Sequence, residues 1–124
     1  MGILNMVMGN ATEVDLKEIE KEFADILVPS ETLECAYKVI RDKWVFTNKR
    51  LILLDVQGIT GSKREYLSIP YKNIAYFSVE TAGTLDDDSE FKIWIKGGGF
   101  VKKEFSKRTN IKQIQMQLAS HVLE

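Results

Sequence analysis

The apolar positions of this chain change period twice. Leu16, Ile19, Phe23, Ile26 and Leu27 recur at helical spacing behind Asn10-Ala11-Thr12, with acidic residues near the start where they suit the helix dipole. The spacing predicts one amphipathic helix, ended at Val28-Pro29-Ser30 because proline cannot continue a helix and pushes its predecessor toward extended geometry. From Glu31 the period becomes two: Leu33, Cys35, Tyr37 and Val39 fall on one face, with Glu34 and Lys38 on the other, as in a half-buried strand.

Trp44 to Thr47 and Leu51 to Val56 flank Asn48-Lys49, a turn-prone pair that predicts a tight hairpin, and the unbroken apolar run after Arg50 predicts a strand covered on both faces. Gln57-Gly58 and Thr60-Gly61-Ser62 mark the next turn, and Glu65 to Ile69 reads as a strand closed by Pro70. Ile74 to Thr81, Phe91 to Ile95 and Phe100 to Phe105 follow as strands, the last two separated by Gly97-Gly98-Gly99. Periodicity returns to helical after Asn110, an N-cap with Gln113 at the capping-box position, and puts Ile111, Ile114, Leu118 and Val122 on one stripe. Closely spaced strands without βαβ alternation predict a mainly β, small antiparallel barrel or sandwich, with the terminal helix as its plug.

At 124 residues the chain has the length of a single domain, and its 44% apolar and 28% charged content is that of a globular protein. The lone cysteine, Cys35, cannot form an internal disulfide, which makes a reducing, cytoplasmic compartment the expectation. The apolar start, Met1 to Met8, has no cationic leader and is far shorter than the ~20 residues of a membrane span, so it is read as neither signal peptide nor anchor. A net charge of −1 supplies no general attraction to nucleic acid, and none is expected as a partner. The charge is unevenly spread: Glu13 to Glu34 holds eight acidic residues against Lys17 and Lys21, ahead of a mildly basic body.

Several separated runs recur here in a recognisable order: Tyr37 to Asp42 (YKVIRD), Phe46 to Ile52 (FTNKRLI), Tyr66 to Tyr71 (YLSIPY), Phe77 to Gly83 (FSVETAG) and Lys92 to Ile95 (KIWI). Together they resemble the bacterial pleckstrin-homology (PH) family, formerly known only as a domain of unknown function. The resemblance covers nearly the whole chain. It implies a PH-like barrel of seven antiparallel strands in two near-orthogonal sheets, capped by a C-terminal helix, with the N-terminal helix as an addition. Residues 1–124 are then one domain: an apolar segment and acidic helix over 1–28, the barrel over 31–106 and the capping helix over 110–123. The resemblance further implies no enzymatic activity, no cofactor, and a tendency to self-associate into ring-like oligomers.

The chemistry-bearing residues agree with a binding role. His121, the only histidine, has no accompanying nucleophile or ligand set, and reads as a helix-end side chain near the C-terminal dipole. Cys35 on an apolar strand face reads as a small hydrophobe. Asp86-Asp87-Asp88-Ser89-Glu90 lacks the spaced ligands and internal glycine of a calcium loop and reads as a solvated connection. Gly97-Gly98-Gly99 lacks the Lys-Ser/Thr of a phosphate loop. PH domains that bind inositol phosphates draw Lys and Arg from the first strand and nearby hairpins, and the matching regions here hold Lys38, Arg41, Lys43, Lys63 and Arg64, although Asp42 interrupts the cluster. An anionic membrane surface is therefore one candidate partner. A second basic group, Lys102, Lys103, Lys107, Arg108 and Lys112, reads as a solvated face or a site for an acidic protein surface.

The chain provides such a surface itself. An acidic N-terminal helix packed beside the basic body of the next copy makes a heterologous contact of the kind that closes into rings. Ile3, Leu4, Leu16, Ile19, Glu20 and Phe23 are the candidate interface residues, and other proteins or peptides, taken at a strand edge or beside the terminal helix, are further candidate partners.

Overall fold

The computed structural model describes residues 16–39, 41–81, 88–106 and 109–124. Its elements are α1 (Leu16–Phe23), β1 (Leu33–Val39), β2 (Asp42–Thr47), β3 (Arg50–Gln57), β4 (Lys63–Pro70), one 3₁₀ turn (Tyr71–Asn73), β5 (Ile74–Glu80), β6 (Ser89–Ile95), β7 (Phe100–Phe105) and α2 (Ile111–Val122). The strands form a four-stranded sheet in the order β1-β2-β3-β4 and a three-stranded sheet in the order β5-β6-β7, antiparallel throughout. The architecture matches the expectation of a mainly β domain with a helix at each end.

Two apolar clusters hold it together. The larger lies between the sheets: Trp44 packs against Phe91 and Phe105, with ring centroids 5.3 and 5.1 Å apart, among Tyr37, Phe46, Leu51, Leu53 and Ile93. The Asn110 side chain accepts a hydrogen bond from the Gln113 backbone N–H at 3.3 Å, and α2 then lays Ile111, Ile114 and Leu118, all buried, onto this cluster. Val122 packs at its margin, half-buried. Each such side chain removed from water stabilises the fold by about 1.5–3 kcal/mol.

The smaller cluster lies on the outer face of the four-stranded sheet, where Ile19 and Phe23 of α1 cover Ala36, Val45, Ile52 and Leu54. β3 is thus apolar on both faces because Leu51 and Leu53 point inward while Ile52 and Leu54 point to α1.

Two expectations change in detail. The N-terminal helix ends at Phe23, not near Leu27: the N–H groups of Ile26 and Leu27 both converge on the Phe23 carbonyl, at 2.9 and 3.1 Å. Ile26 and Leu27 still pack on the outer cluster, from a turn that redirects the chain toward β1. In β1, Leu33 does not share a face with Cys35 and Tyr37. The β1–β2 register shifts between Leu33 and Cys35, and Leu33 joins Ala36 under α1 while Cys35 and Tyr37 face the interior. One irregular residue is enough to exchange faces, because side chains alternate with a period of two.

Candidate functional site

The sequence-predicted cations come together on the outer face of the four-stranded sheet. Lys38 of β1 lies opposite Lys43 of β2, which lies opposite Leu54 of β3, while Arg64 of β4 lies opposite Val56 one step further along β3. Arg41, in the β1–β2 turn, donates through Nη2 to the carbonyls of Val56 at 2.9 Å and Gly58 at 2.7 Å, which ties that turn to the end of β3. Lys38, Arg41, Lys43 and Arg64 line one open pocket of about 320 Å³, whose floor includes Leu54 and Val56 and whose rim includes Ile59, Thr60 and Gly61. Gly61 has φ +73, and a Cβ there would crowd Val56 Cγ1 at 3.3 Å, so the turn at the rim requires glycine. Lys63 is exposed at the start of β4 and is not part of the lining.

Two of these four cations are paired with one carboxylate from outside the lining. Glu22 of α1 gives Oε1 to Lys43 Nζ at 2.5 Å and Oε2 to Arg64 Nη1 at 2.8 Å. Asp42, which interrupts the cations in sequence, does not interrupt the pocket, because it contributes to a second cleft with Val39, Arg41, Asp55 and Lys103. There it accepts from Lys103 Nζ at 2.7 Å and from the Val56 N–H at 3.0 Å. Burial pushes the Asp42 carboxyl up, but these hydrogen bonds outweigh it and hold the group below its ordinary value. Of the second basic group, Lys102 lies 3.7 Å from Glu90 and Lys103 is paired with Asp42; Lys107 and Arg108 lie outside the described residues.

The candidate interface residues divide differently. Ile19 and Phe23 are each 0% exposed beneath α1 of their own chain, so they are core residues and offer no surface to a second copy. The amphipathic stripe is consumed by the sheet below it. Leu16 is half-buried against the same cluster, Glu20 is exposed, and Ile3 and Leu4, with the rest of residues 1–15, lie outside the described residues.

A feature the sequence reading missed lies on the outer face of the three-stranded sheet. Tyr76, Trp94 and Phe100 are direct cross-strand partners, so the three rings form one rung across β5, β6 and β7. Tyr76 and Trp94 stack at 4.8 Å, and Lys92 Nζ sits 5.7 Å from the Trp94 ring and 5.9 Å from that of Phe100. Tyr76 and Phe100 are 60% and 58% exposed. The next rungs are Ser78, Lys92 and Lys102, then Glu80, Glu90 and Glu104, giving aromatic, cationic and acidic bands in succession. Alternation within each strand marks these residues as outward-facing, but only the register aligns them.

Cys35 and His121 are held by their surroundings. Burial pushes the Cys35 thiol up to about 12. His121 Nε2 lies 2.7 Å from Glu34 Oε1, and its ring stacks on Tyr71 at 4.1 Å with planes 4° apart, which joins the last turn of α2 to β1 and to the 3₁₀ turn. Among the described residues no group of three His, Cys, Asp or Glu side chains could hold a metal ion, and no helix is long and apolar enough to cross a membrane.

The two-sheet topology with its capping helix carries the runs that resemble PH domains, and a model of the family described as "Bacterial PH domain" matches residues 2–122. The chain belongs to the bacterial PH domain family. This PH domain is 51% identical over 122 residues to YjqA of Bacillus subtilis (strain 168), an uncharacterized protein, covering 97% of this chain and 98% of YjqA. Among solved structures it is similar to the pleckstrin homology domain from Shewanella amazonensis SB2B, with a TM-score of 0.84 and 50% identity over 94% of each chain. It is also similar to a DUF1696 family protein with a pleckstrin-homology domain from Shewanella loihica PV-4, with a TM-score of 0.82 and 51% identity, covering 92% of this chain and 98% of that one.

Proposed function

We propose that this PH domain is a non-catalytic interaction module that assembles with copies of itself into a ring-like homo-oligomer. The observation that supports the reading is the aromatic rung Tyr76-Trp94-Phe100, whose end rings are more than half exposed on an otherwise regular sheet face. Exposed aromatic side chains beside complementary charge are the composition of protein interfaces, and the adjoining cationic and acidic bands provide register for a contact between copies. The N-terminal helix has a different place in this scheme from the one its amphipathicity suggested: its apolar stripe is buried at home, leaving Glu20 and its other exposed charges for contact. Light scattering on the intact protein tests the reading. A mass several times 14.2 kDa is expected, falling in a Tyr76→Ser, Phe100→Ser variant; a monomeric mass for the intact protein overturns it.

A second reading is supported by the convergence of Lys38, Arg41, Lys43 and Arg64 on one pocket. Several cations around one concavity suit a multivalent anion, such as the headgroup of an anionic lipid at a membrane surface. Vesicle sedimentation discriminates it from pure self-assembly: binding should require anionic lipid and weaken with salt, and equal sedimentation with neutral vesicles counts against it.

A further inference from the structure

We infer that Glu22 is a built-in competitor at the edge of the basic pocket, a carboxylate of the chain's own α1 that holds two of the four lining cations and that a phosphate-dense anion must displace in order to engage all four. The inference rests on the anion-binding reading of the pocket and adds its regulation and the class of ligand that can use it.

The geometry is that of a bound anion. Lys43 and Arg64 stand on β2 and β4 with β3 between them, and neighbouring strands are ~4.8 Å apart, so no single direct contact joins the two cations. Glu22 spans them by giving one oxygen to each. A carboxylate ligand entering from solvent would be held in the same way.

The contact is not what holds α1 in place. Ile19 and Phe23 are wholly buried on the sheet, Leu16, Ile26 and Leu27 pack around them, and the Phe23 ring meets Tyr66 edge-on at 5.5 Å. The Lys43–Glu22 pair is partly buried, with side chains 19% and 20% exposed, and the Arg64 side chain is 45% exposed; ion pairs that still meet solvent contribute little to folding stability beside a buried apolar stripe. Glu22 can therefore leave the cations while α1 remains docked.

The pocket also holds more positive charge than Glu22 uses. Lys38 has no ion-pair partner among the described residues, and Arg41 is fixed at the rim by its carbonyl contacts. Lys43 and Arg64 each keep donors beyond the one Glu22 engages. A competitor must therefore bring more charge and more acceptor oxygens than one carboxylate, as a phosphate monoester or adjacent phosphates do and a second carboxylate does not. Free polyphosphate and phosphorylated lipid headgroups share that chemistry.

Titration calorimetry with inorganic tripolyphosphate, and flotation with phosphatidylcholine vesicles with or without phosphatidylinositol phosphate, compare the intact protein with Glu22→Gln. The variant should bind tripolyphosphate, the phosphorylated vesicles or both about tenfold more tightly than the parent, with acetate ineffective on the parent. The responding arm identifies the source of the phosphate. Equal affinities for parent and variant overturn the role of Glu22 while leaving the pocket as an anion site; absence of binding by both proteins in both arms overturns the pocket reading and the inference with it. In the parent protein the carbon-13 shift of the Glu22 carboxyl should move at saturating tripolyphosphate to that of a solvated glutamate. An unmoved signal at saturation overturns displacement without reliance on any variant.

Discussion

Arg50 and Glu31 form a two-point ion pair around a carboxylate that is wholly sealed from solvent. Arg50 donates from Nε to Oε2 and from Nη2 to Oε1, both at 2.8 Å, and the Glu31 side chain is 0% exposed. The same guanidinium reaches the Ile26 carbonyl at 2.8 Å and Ser68 Oγ at 2.9 Å, while Glu31 also accepts from Thr47 Oγ1 at 2.6 Å and the Val28 N–H at 3.1 Å. The pair thus ties the turn after α1 to β2, β3 and β4. Arg50→Ala leaves a buried carboxylate without its cation, and a loss of about 3–5 kcal/mol is expected, read as a lowered urea midpoint. A change below about 1 kcal/mol would show the pair to be dispensable.

The same network sets an acid limit. Burial pushes the Glu31 carboxyl up, but hydrogen bonds from Arg50, Thr47 and the Val28 N–H outweigh it and hold the folded-state value below the ordinary 4.5. A carboxyl lowered in the folded state contributes stability that is fully present above its unfolded value and is lost as pH falls through the folded one. Asp42, lowered by Lys103 and the Val56 N–H against its own burial, acts in the same direction from an ordinary 3.8. Urea midpoints should therefore decline as pH falls below about 4.5, and the decline should shrink in a Glu31→Gln, Asp42→Asn variant, which starts from a lower stability at neutral pH.

Cys35 should resist alkylation in the folded protein. With its thiol pushed up to about 12 from 9.0, the thiolate fraction at pH 8 falls about a thousandfold, and burial adds a steric barrier. Iodoacetamide should label it only in urea; rapid labelling of the native protein would contradict its packing between the sheets.

Phe23→Ala separates a core role from an interface role. As a wholly buried ring it should cost about 3–5 kcal/mol at every protein concentration. An interface residue would instead make the melting temperature depend on concentration and leave the isolated subunit's stability unchanged.

Legibility followed the range of the contact. The α2 stripe and its Asn110 cap were readable because both depend on residues within a few positions of one another, and the hairpin at Asn48-Lys49 was readable for the same reason. Half of the basic pocket rests on a short-range pairing, since β1 and β2, joined by a short turn, set Lys38 opposite Lys43. Arg64 joins them only through the β3–β4 register, and Asp42 leaves them only because neighbouring strand residues face opposite ways. The aromatic rung needed two registers at once, across connections of different length, and no local signal announces it.

The sequence by itself determined the mainly β class, the two flanking helices and the burial of Cys35, because hydrophobic period and turn chemistry are local properties of the chain. Tertiary structure decided what covers what. An amphipathic helix specifies that its stripe must be buried but not against which surface, and here Ile19 and Phe23 settle on their own sheet, carrying Glu22 to the basic pocket. Which side chains meet across strands depends on register, a relation among distant segments fixed only when the two clusters pack together.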